Sequence, residues 1–413
     1  MYRTIIDRRQ GLLGFLLFGA IFVVINVKSG WSLVNRAGFP NKNHFDDLSL
    51  VVNWAECFNE IGNKVYSTQS QDVCGGYLYG QTLLNVVNFL NISKSQVALV
   101  SAFLIVASVF CFATIAANSQ KKTFSSILIV TALIFSPNYM LLIERMNVDL
   151  IVILMLALAA FTLRRGNFAT SFALVATTAL FKFYTLPLLV FISIKYVTGK
   201  KRIVALLLTG VVALNILLDL QKIKETFPST WFISFGLQIW GKYLGLFIEA
   251  LSMKTTKFTW PVETLVGLTL LLLVSLVFLL LDRFLKPTHK SIFHLRQVGK
   301  EDLLSFEFLS IPFLTCYFIN TSYDYRLPLL SVAFCLVLKY QSGIGYRIFV
   351  GFALMATWMT VFVPFPASSG GVTLWQLIGD LSMLPLVVAL LLLLAKSSRN
   401  RWALKLRGSI GWN

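Results

Sequence analysis

The sequence predicts an all-α polytopic membrane protein with about twelve transmembrane helices. Three observations predict it. Of the 413 residues, 57% are hydrophobic and only 13% are charged, against roughly 45–50% and about 25% in soluble domains. Apolar runs near the length of a bilayer crossing recur from end to end. The basic residues gather in alternate breaks between those runs.

Taken in order, the runs are 11–27, 97–117, 124–142, 148–163, 168–181, 183–196, 203–218, 262–281, 303–320, 327–338, 348–364 and 377–395. The first has no small-residue cleavage site after it and reads as a retained helix, not a removed leader. The runs 148–163, 168–181, 183–196 and 327–338 fall short of the roughly 20 residues a crossing needs. They are expected to tilt little, to extend into their polar flanks, or to be re-entrant. With the N-terminus in the cytoplasm, the inner face collects 23 of the 36 Lys and Arg residues and four acids, and the outer face 13 of each sign. The whole +18 excess then lies on one side, as the positive-inside rule requires. Topology accounts for the basic charge without nucleic acid. Both termini are expected in the cytoplasm. No repeat, linker or soluble domain stands out, so 1–413 reads as a single integral membrane domain with outer loops at 28–94 and 219–261.

Cys111, Cys316 and Cys335 fall inside apolar runs, where Cys packs as a small hydrophobe. Cys57 and Cys74 both fall in the first outer loop, on a face where a disulfide is permitted. Two unpaired loop thiols are the alternative. In that loop Asp46 and Asp47 precede apolar residues at 48, 50, 51, 52, 54 and 55. A short amphipathic surface helix fits this pattern, with both acids at its start, where capping and the helix dipole favour them. Three further clusters fall on the outer face: Glu144 to Asp149, including Arg145 and Asn147; Lys182 with Tyr184, inside an otherwise apolar stretch; and Tyr323-Asp324-Tyr325-Arg326. Each has a plain explanation, as a charged turn, a snorkelling Lys or an interfacial Tyr pair. The inner-face breaks, such as 118–122, 164–167 and 199–202, are simple basic connectors. Ionisable groups at membrane depth mark functional sites, so the outer boundary is the expected site.

Arg145, Lys182 and Arg326 suit an anionic headgroup such as phosphate. Tyr and Trp faces suit sugar rings, and a loop carboxylate can act as general base on an alcohol. Together these point to glycosyl transfer from a lipid-phosphate sugar. The chain has only three His residues, His44, His289 and His294, without metal-ligand spacing. No metal or other cofactor is expected.

At these residues the chain resembles the GT-C superfamily of membrane glycosyltransferases, most of all glycosyltransferase family 87, which uses polyprenyl-phosphate mannose. The similarity begins at Phe45-Asp46-Asp47-Leu48-Ser49-Leu50-Val51 and continues through 62–66 and Tyr77-Leu78-Tyr79. It is densest from Arg145-Met146-Asn147-Val148-Asp149-Leu150 to Arg164-Arg165-Gly166, then Leu180-Phe181-Lys182-Phe183-Tyr184. The Tyr323 to Arg326 element is similar to late loops of such proteins. Two places depart from the family: Tyr79 is followed by Gly80-Gln81 where Tyr-Pro-Pro is frequent, and the Pro after Lys182-Phe183-Tyr184 is delayed to Pro187.

The resemblance implies a GT-C-like fold with short amphipathic helices in the first outer loop, and a catalytic base at Asp47, with Asp46 as the alternate. Arg145, Lys182 and Arg326 would hold the donor phosphate. Asn147, Asp149, Tyr184, Tyr323, Asp324 and Tyr325 would line the substrate. The implied partners are a polyprenyl-phosphate sugar, a glycan, lipid or protein acceptor, and the bilayer. The implied location is a bacterial inner membrane with the site on its periplasmic side. Two other readings remain open at this point: an O-antigen-type polymerase or ligase with a lipid-diphosphate donor, and a transporter or flippase of lipid-linked glycans.

Overall fold

The computed structural model describes residues 13–17, 19–21, 23–24, 45–66, 74, 76–119, 124–223, 234–252, 258–285, 299–319, 322–323, 326–338, 344–359 and 374–399. Its helices are, in chain order, α1 (Asp46–Ile61), α2 (Gln81–Phe89), α3 (Val97–Ser119), α4 (Phe124–Ile134), α5 (Pro137–Arg145), α6 (Val148–Arg164), α7 (Phe168–Phe181), α8 (Leu186–Lys195), α9 (Gly199–Ile223), α10 (Ile239–Ser252), α11 (Trp260–Leu285), α12 (Lys300–Ile319), α13 (Leu327–Leu338), α14 (Ile344–Trp358) and α15 (Leu374–Arg399). Two-residue strands β1 (Ser234–Phe235) and β2 (Ser322–Tyr323) pair antiparallel, with Ser234 opposite Tyr323.

Among the described residues, five stretches are long and apolar enough to cross a bilayer: Lys94–Ala117, Ile127–Arg145, Gly199–Ile223, Glu301–Ile319 and Leu374–Ala395. The protein is therefore a helical, multi-pass membrane protein. Other expected crossings are shorter helices: Phe168–Phe181, Phe183–Lys195, Pro261–Val277, Leu327–Leu336 and Arg347–Trp358. At 1.5 Å per residue α7 is about 21 Å long and α8 about 15 Å, against a hydrocarbon layer of roughly 30 Å. On α3, Leu99, Phe103, Val106 and Phe110 point outward, as do Ile203, Leu207, Val211 and Leu214 on α9. Steps of three and four residues make each set a single stripe. In water such a stripe would be covered; in lipid it is the solvent-facing side.

The chain forms two compact units. Unit I comprises Met1–Asn41, Phe112–Leu141 and Thr230–Arg399, and unit II comprises Lys42–Cys111, Leu142–Ser229 and Asn400–Asn413. In unit I, α12 packs on α13, α14 on α15 and α10 on α11. Side chains also bind backbone across helices: Asn138 donates to the Thr357 carbonyl at 3.0 Å and the Trp358 indole to the Ala132 carbonyl at 2.9 Å. Glu307 and Asp380 are buried and accept hydrogen bonds from Ser397 and Tyr243.

Unit II carries most of the clustered polar residues. Leu48, Val51, Val52 and Ala55 form the buried stripe of α1, and α1 packs on α2. A 3-10 turn, Gly62–Tyr66, follows α1. Cys57 and Cys74 are disulfide-bonded with Cα atoms 5.6 Å apart. Helices α6 and α7 form a hairpin. At its turn the Gly166 N–H meets the Leu163 carbonyl and the Asn167 N–H the Thr162 carbonyl. That pair of bonds is a Schellman ending, and Gly166 supplies its left-handed residue at φ 84. The Asn167 side chain then caps α7 through the Thr170 N–H. Helix α7 stops at Lys182, whose backbone is extended. After the short turn Phe183–Thr185, α8 begins with Pro187 in its first turn, where a missing N–H costs little.

At Gly80 the chain passes close over the end of α7. A Cβ there would lie 1.9 Å from the Leu180 carbonyl oxygen at the end of α7. Proline carries that Cβ too, so the close passage of backbone over backbone admits only glycine.

Candidate active site

Asp46, Asp47, Arg145, Asn147, Asp149, Lys182 and Tyr184 all belong to unit II, and the fold links them in a chain of contacts. Helix α5 ends with the same motif as α6. The Met146 N–H meets the Ile143 carbonyl and the Asn147 N–H the Leu142 carbonyl. Here the left-handed position, at φ 48, is occupied by a buried Met instead of Gly. Phe45, just before α1, is also left-handed at φ 63, and its N–H donates to the Glu144 carbonyl at 2.9 Å. A side chain in this region costs about 1–2 kcal/mol. Phe45 bonds to the carbonyl two residues before Met146, and two left-handed side-chain-bearing residues so close together mark a place where strain is tolerated, as at functional sites.

This backbone clamp sets the start of α1 beside the end of α5. Asp46 and Asp47 lie in the first turn of α1, as expected, but no side chain caps that end. The Asp47 carboxylate turns instead to Arg145 and Asn147. Arg145 Nη2 donates to Oδ1 and Asn147 Nδ2 to Oδ2. Asn147 is held by a second bond: its Oδ1 caps α6 by accepting from the Asp149 N–H at 3.0 Å. That cap directs the amide nitrogen at Asp47. Arg145 Nη1 is 3.9 Å from Asp46, and the buried Glu144 carboxyl also faces the guanidinium.

Asp149 is fully buried in the first turn of α6. Tyr184 donates to its Oδ1 at 2.6 Å, and Lys182 Nζ lies 3.6 Å from Oδ2. Lys182, only 4% exposed, also sits over the Tyr79 ring at 3.9 Å. It is therefore an interior ammonium rather than a snorkelling one. Arg145 and Lys182, both expected at a donor phosphate, are already matched by carboxylates.

Aromatic rings extend this network. Tyr77 is the hub, with ring centroids 5.3 Å from Trp54, 5.6 Å from Tyr79 and 5.4 Å from Tyr66. Its hydroxyl donates to the Gly80 carbonyl at 2.9 Å. Beyond Tyr66, the Gln81 N–H donates to Asp219 Oδ2 at 3.0 Å. Lys222 reaches Gln81 Oε1 at 2.8 Å and Asp219 Oδ1 at 3.3 Å. The sequence placed Tyr66, Tyr77 and Tyr79 within the resemblance, Trp54 in the apolar pattern of α1 and Gln81 at a departure from the resemblance, but it assigned no role to any of them or to Lys222. Partners some 140 residues apart leave no local signal.

The remaining expected residues belong to unit I or lie outside the described residues. Arg326 immediately precedes α13 in unit I, and Tyr323 belongs to β2 of that unit. Asp324 and Tyr325 lie outside the described residues, as do His44, His289 and His294. Among the described residues no group of three or more His, Cys, Asp or Glu is arranged to hold a metal ion. No family model matches the chain, and neither does any curated protein or solved structure.

Proposed function

We propose that the protein is a glycosyltransferase of GT-C type that takes a sugar from a polyprenyl-phosphate carrier and passes it to an acceptor hydroxyl. One observation carries this reading. Asp47, at a helix start where an acid ordinarily serves as a cap, has its carboxylate presented sideways to Arg145 and Asn147. A carboxylate oriented through both oxygens is suited to take a proton from an alcohol. The acceptor oxygen forms its bond to the anomeric carbon while the bond to the phosphate breaks. The proton goes to Asp47, and the electron pair leaves on the lipid phosphate. Arg145 links the two events: as the donor phosphate draws the guanidinium fork, Asp47 Oδ1 is released while Asn147 keeps the carboxylate in place. Lys182 acts less on the phosphate than on Asp149, whose N–H fixes Asn147. The proposed setting is a bacterial plasma membrane with both termini inside and this site on the outer face.

The test is transfer from a polyprenyl-phosphate sugar by purified, detergent-solubilised protein. Asp47→Asn keeps the shape and removes the basicity, so activity is expected to fall by roughly 10²–10⁴-fold in a protein that is still folded. Asp46→Asn is expected to be milder. Retention of more than about a tenth of wild-type activity by Asp47→Asn, far above the general-base expectation, rules Asp47 out as the base.

A further inference from the structure

We propose that Tyr66, Gln81, Asp219 and Lys222 form a second binding site, distinct from the Asp47–Arg145 pair, which takes the hydroxyl groups of a neutral carbohydrate.

The first ground is an unsatisfied group. Among the described residues the Tyr66 hydroxyl meets no hydrogen-bond partner, although Tyr66 is only 3% exposed. Buried hydroxyls are ordinarily hydrogen-bonded, and an exception calls for an explanation. Tyr66 ends the 3-10 turn that packs on α9. The Lys222 ammonium lies 5.8 Å from its ring centre. Burial, and after it the Asp219 charge, raises the phenol above its ordinary pKa, so the hydroxyl and this carboxylate share one neighbourhood.

The second ground is the unused capacity around it. Lys222 has three donors and spends two, on Gln81 and Asp219. The Gln81 side-chain nitrogen carries two donors that no described residue takes. Each Asp219 oxygen accepts one bond and keeps a further lone pair. Donors and acceptors therefore stand together around a buried hydroxyl that can serve as either. Such a mixture matches alcohol groups, which also do both. Asp219 and Lys222 cancel in charge, which favours a neutral ligand over an anion. The rings of Tyr77, Trp54 and Tyr79 continue from Tyr66 towards Lys182, and aromatic faces suit the C–H side of a sugar ring. Calling this ligand the acceptor of the transfer rests on the function proposed above; its binding does not.

The test is saturation-transfer NMR on detergent-solubilised full-length protein, titrated with the methyl glycosides of mannose, glucose and galactose. Wild type is expected to bind at least one of them saturably. Tyr66→Phe keeps the ring and removes only the hydroxyl, so the ligand-free protein is expected to melt no lower than wild type while affinity falls about tenfold. Gln81→Ala is expected to weaken binding similarly; if it misfolds, Tyr66→Phe alone decides. Asp47→Asn is expected to leave binding unchanged. Absence of saturable binding to all three glycosides overturns the proposal, and so does wild-type affinity in Tyr66→Phe. If binding behaves as expected but wild type transfers no sugar from a polyprenyl-phosphate donor, the transferase reading falls and this site stands.

Discussion

Replacing Asp149 by Asn removes one charge from an interior pair and leaves its shape. The pair is Asp149, fully buried, and Lys182, 4% exposed, with N and O 3.6 Å apart. At an effective dielectric constant of about 20 the attraction at that separation is about 5 kcal/mol. The amide's dipole and the Tyr79 ring compensate part of this, so the expected loss is about 3 kcal/mol, within the range for breaking a buried pair. Adding Lys182→Met removes the stranded charge, and such double replacements are often neutral or stabilising. The assay is thermal denaturation in detergent of wild type, both single variants and the double variant. Asp149→Asn should melt several degrees lower, and the double variant should recover most of that. The reasoning fails if Asp149→Asn costs less than about 1 kcal/mol, too little for a buried pair. It also fails if the double variant is no more stable than Asp149→Asn. Either result would mean that Lys182 finds its stability elsewhere.

Gly80→Ala should destabilise by about 1–3 kcal/mol, since the new methyl meets a carbonyl that cannot rotate away; an unchanged melting temperature would show that the α2–α7 passage is slack. Replacing Cys57 and Cys74 together by Ser should cost about 3 kcal/mol for a loop of this length, 17 residues apart. Alkylation of both residues in unreduced wild-type protein, read by mass spectrometry, would show that no bond forms in the membrane. Lys64→Cys and Lys290→Cys should react with an impermeant thiol reagent from opposite sides, and labelling of both from one side contradicts the proposed orientation.

Much of this architecture is legible in the sequence because composition and periodicity are local properties. The membrane class follows from the apolar runs, and α1 begins where the paired acids meet the apolar stripe. The break at Lys182 is visible as one charge in an apolar stretch. The division into two units is not visible, because both are assembled from interleaved segments and no linker separates them. Met146 gives no hint of its left-handed backbone, since Met is an ordinary helix former. Asp47 and Arg145 are 98 residues apart, so each reads alone as a capping acid or a turn cation. Lys182 reads from the sequence as a phosphate-binding or a snorkelling cation, because the sequence does not show that Asp149 and Tyr79 lie against it.

The contact between Phe45 and Glu144 is made by main chain alone. Neither Asp47 nor Arg145 supplies the hydrogen bond that sets their helix ends side by side. Scaffold and reactive groups are therefore largely separable here, and positions 46, 47 and 145 can be varied together over a fixed frame, whereas Asn147 also caps α6. A saturation library at these positions should yield a high share of inserted, folded proteins with altered chemistry. A library at 45 and 146, where the backbone itself is unusual, should yield few.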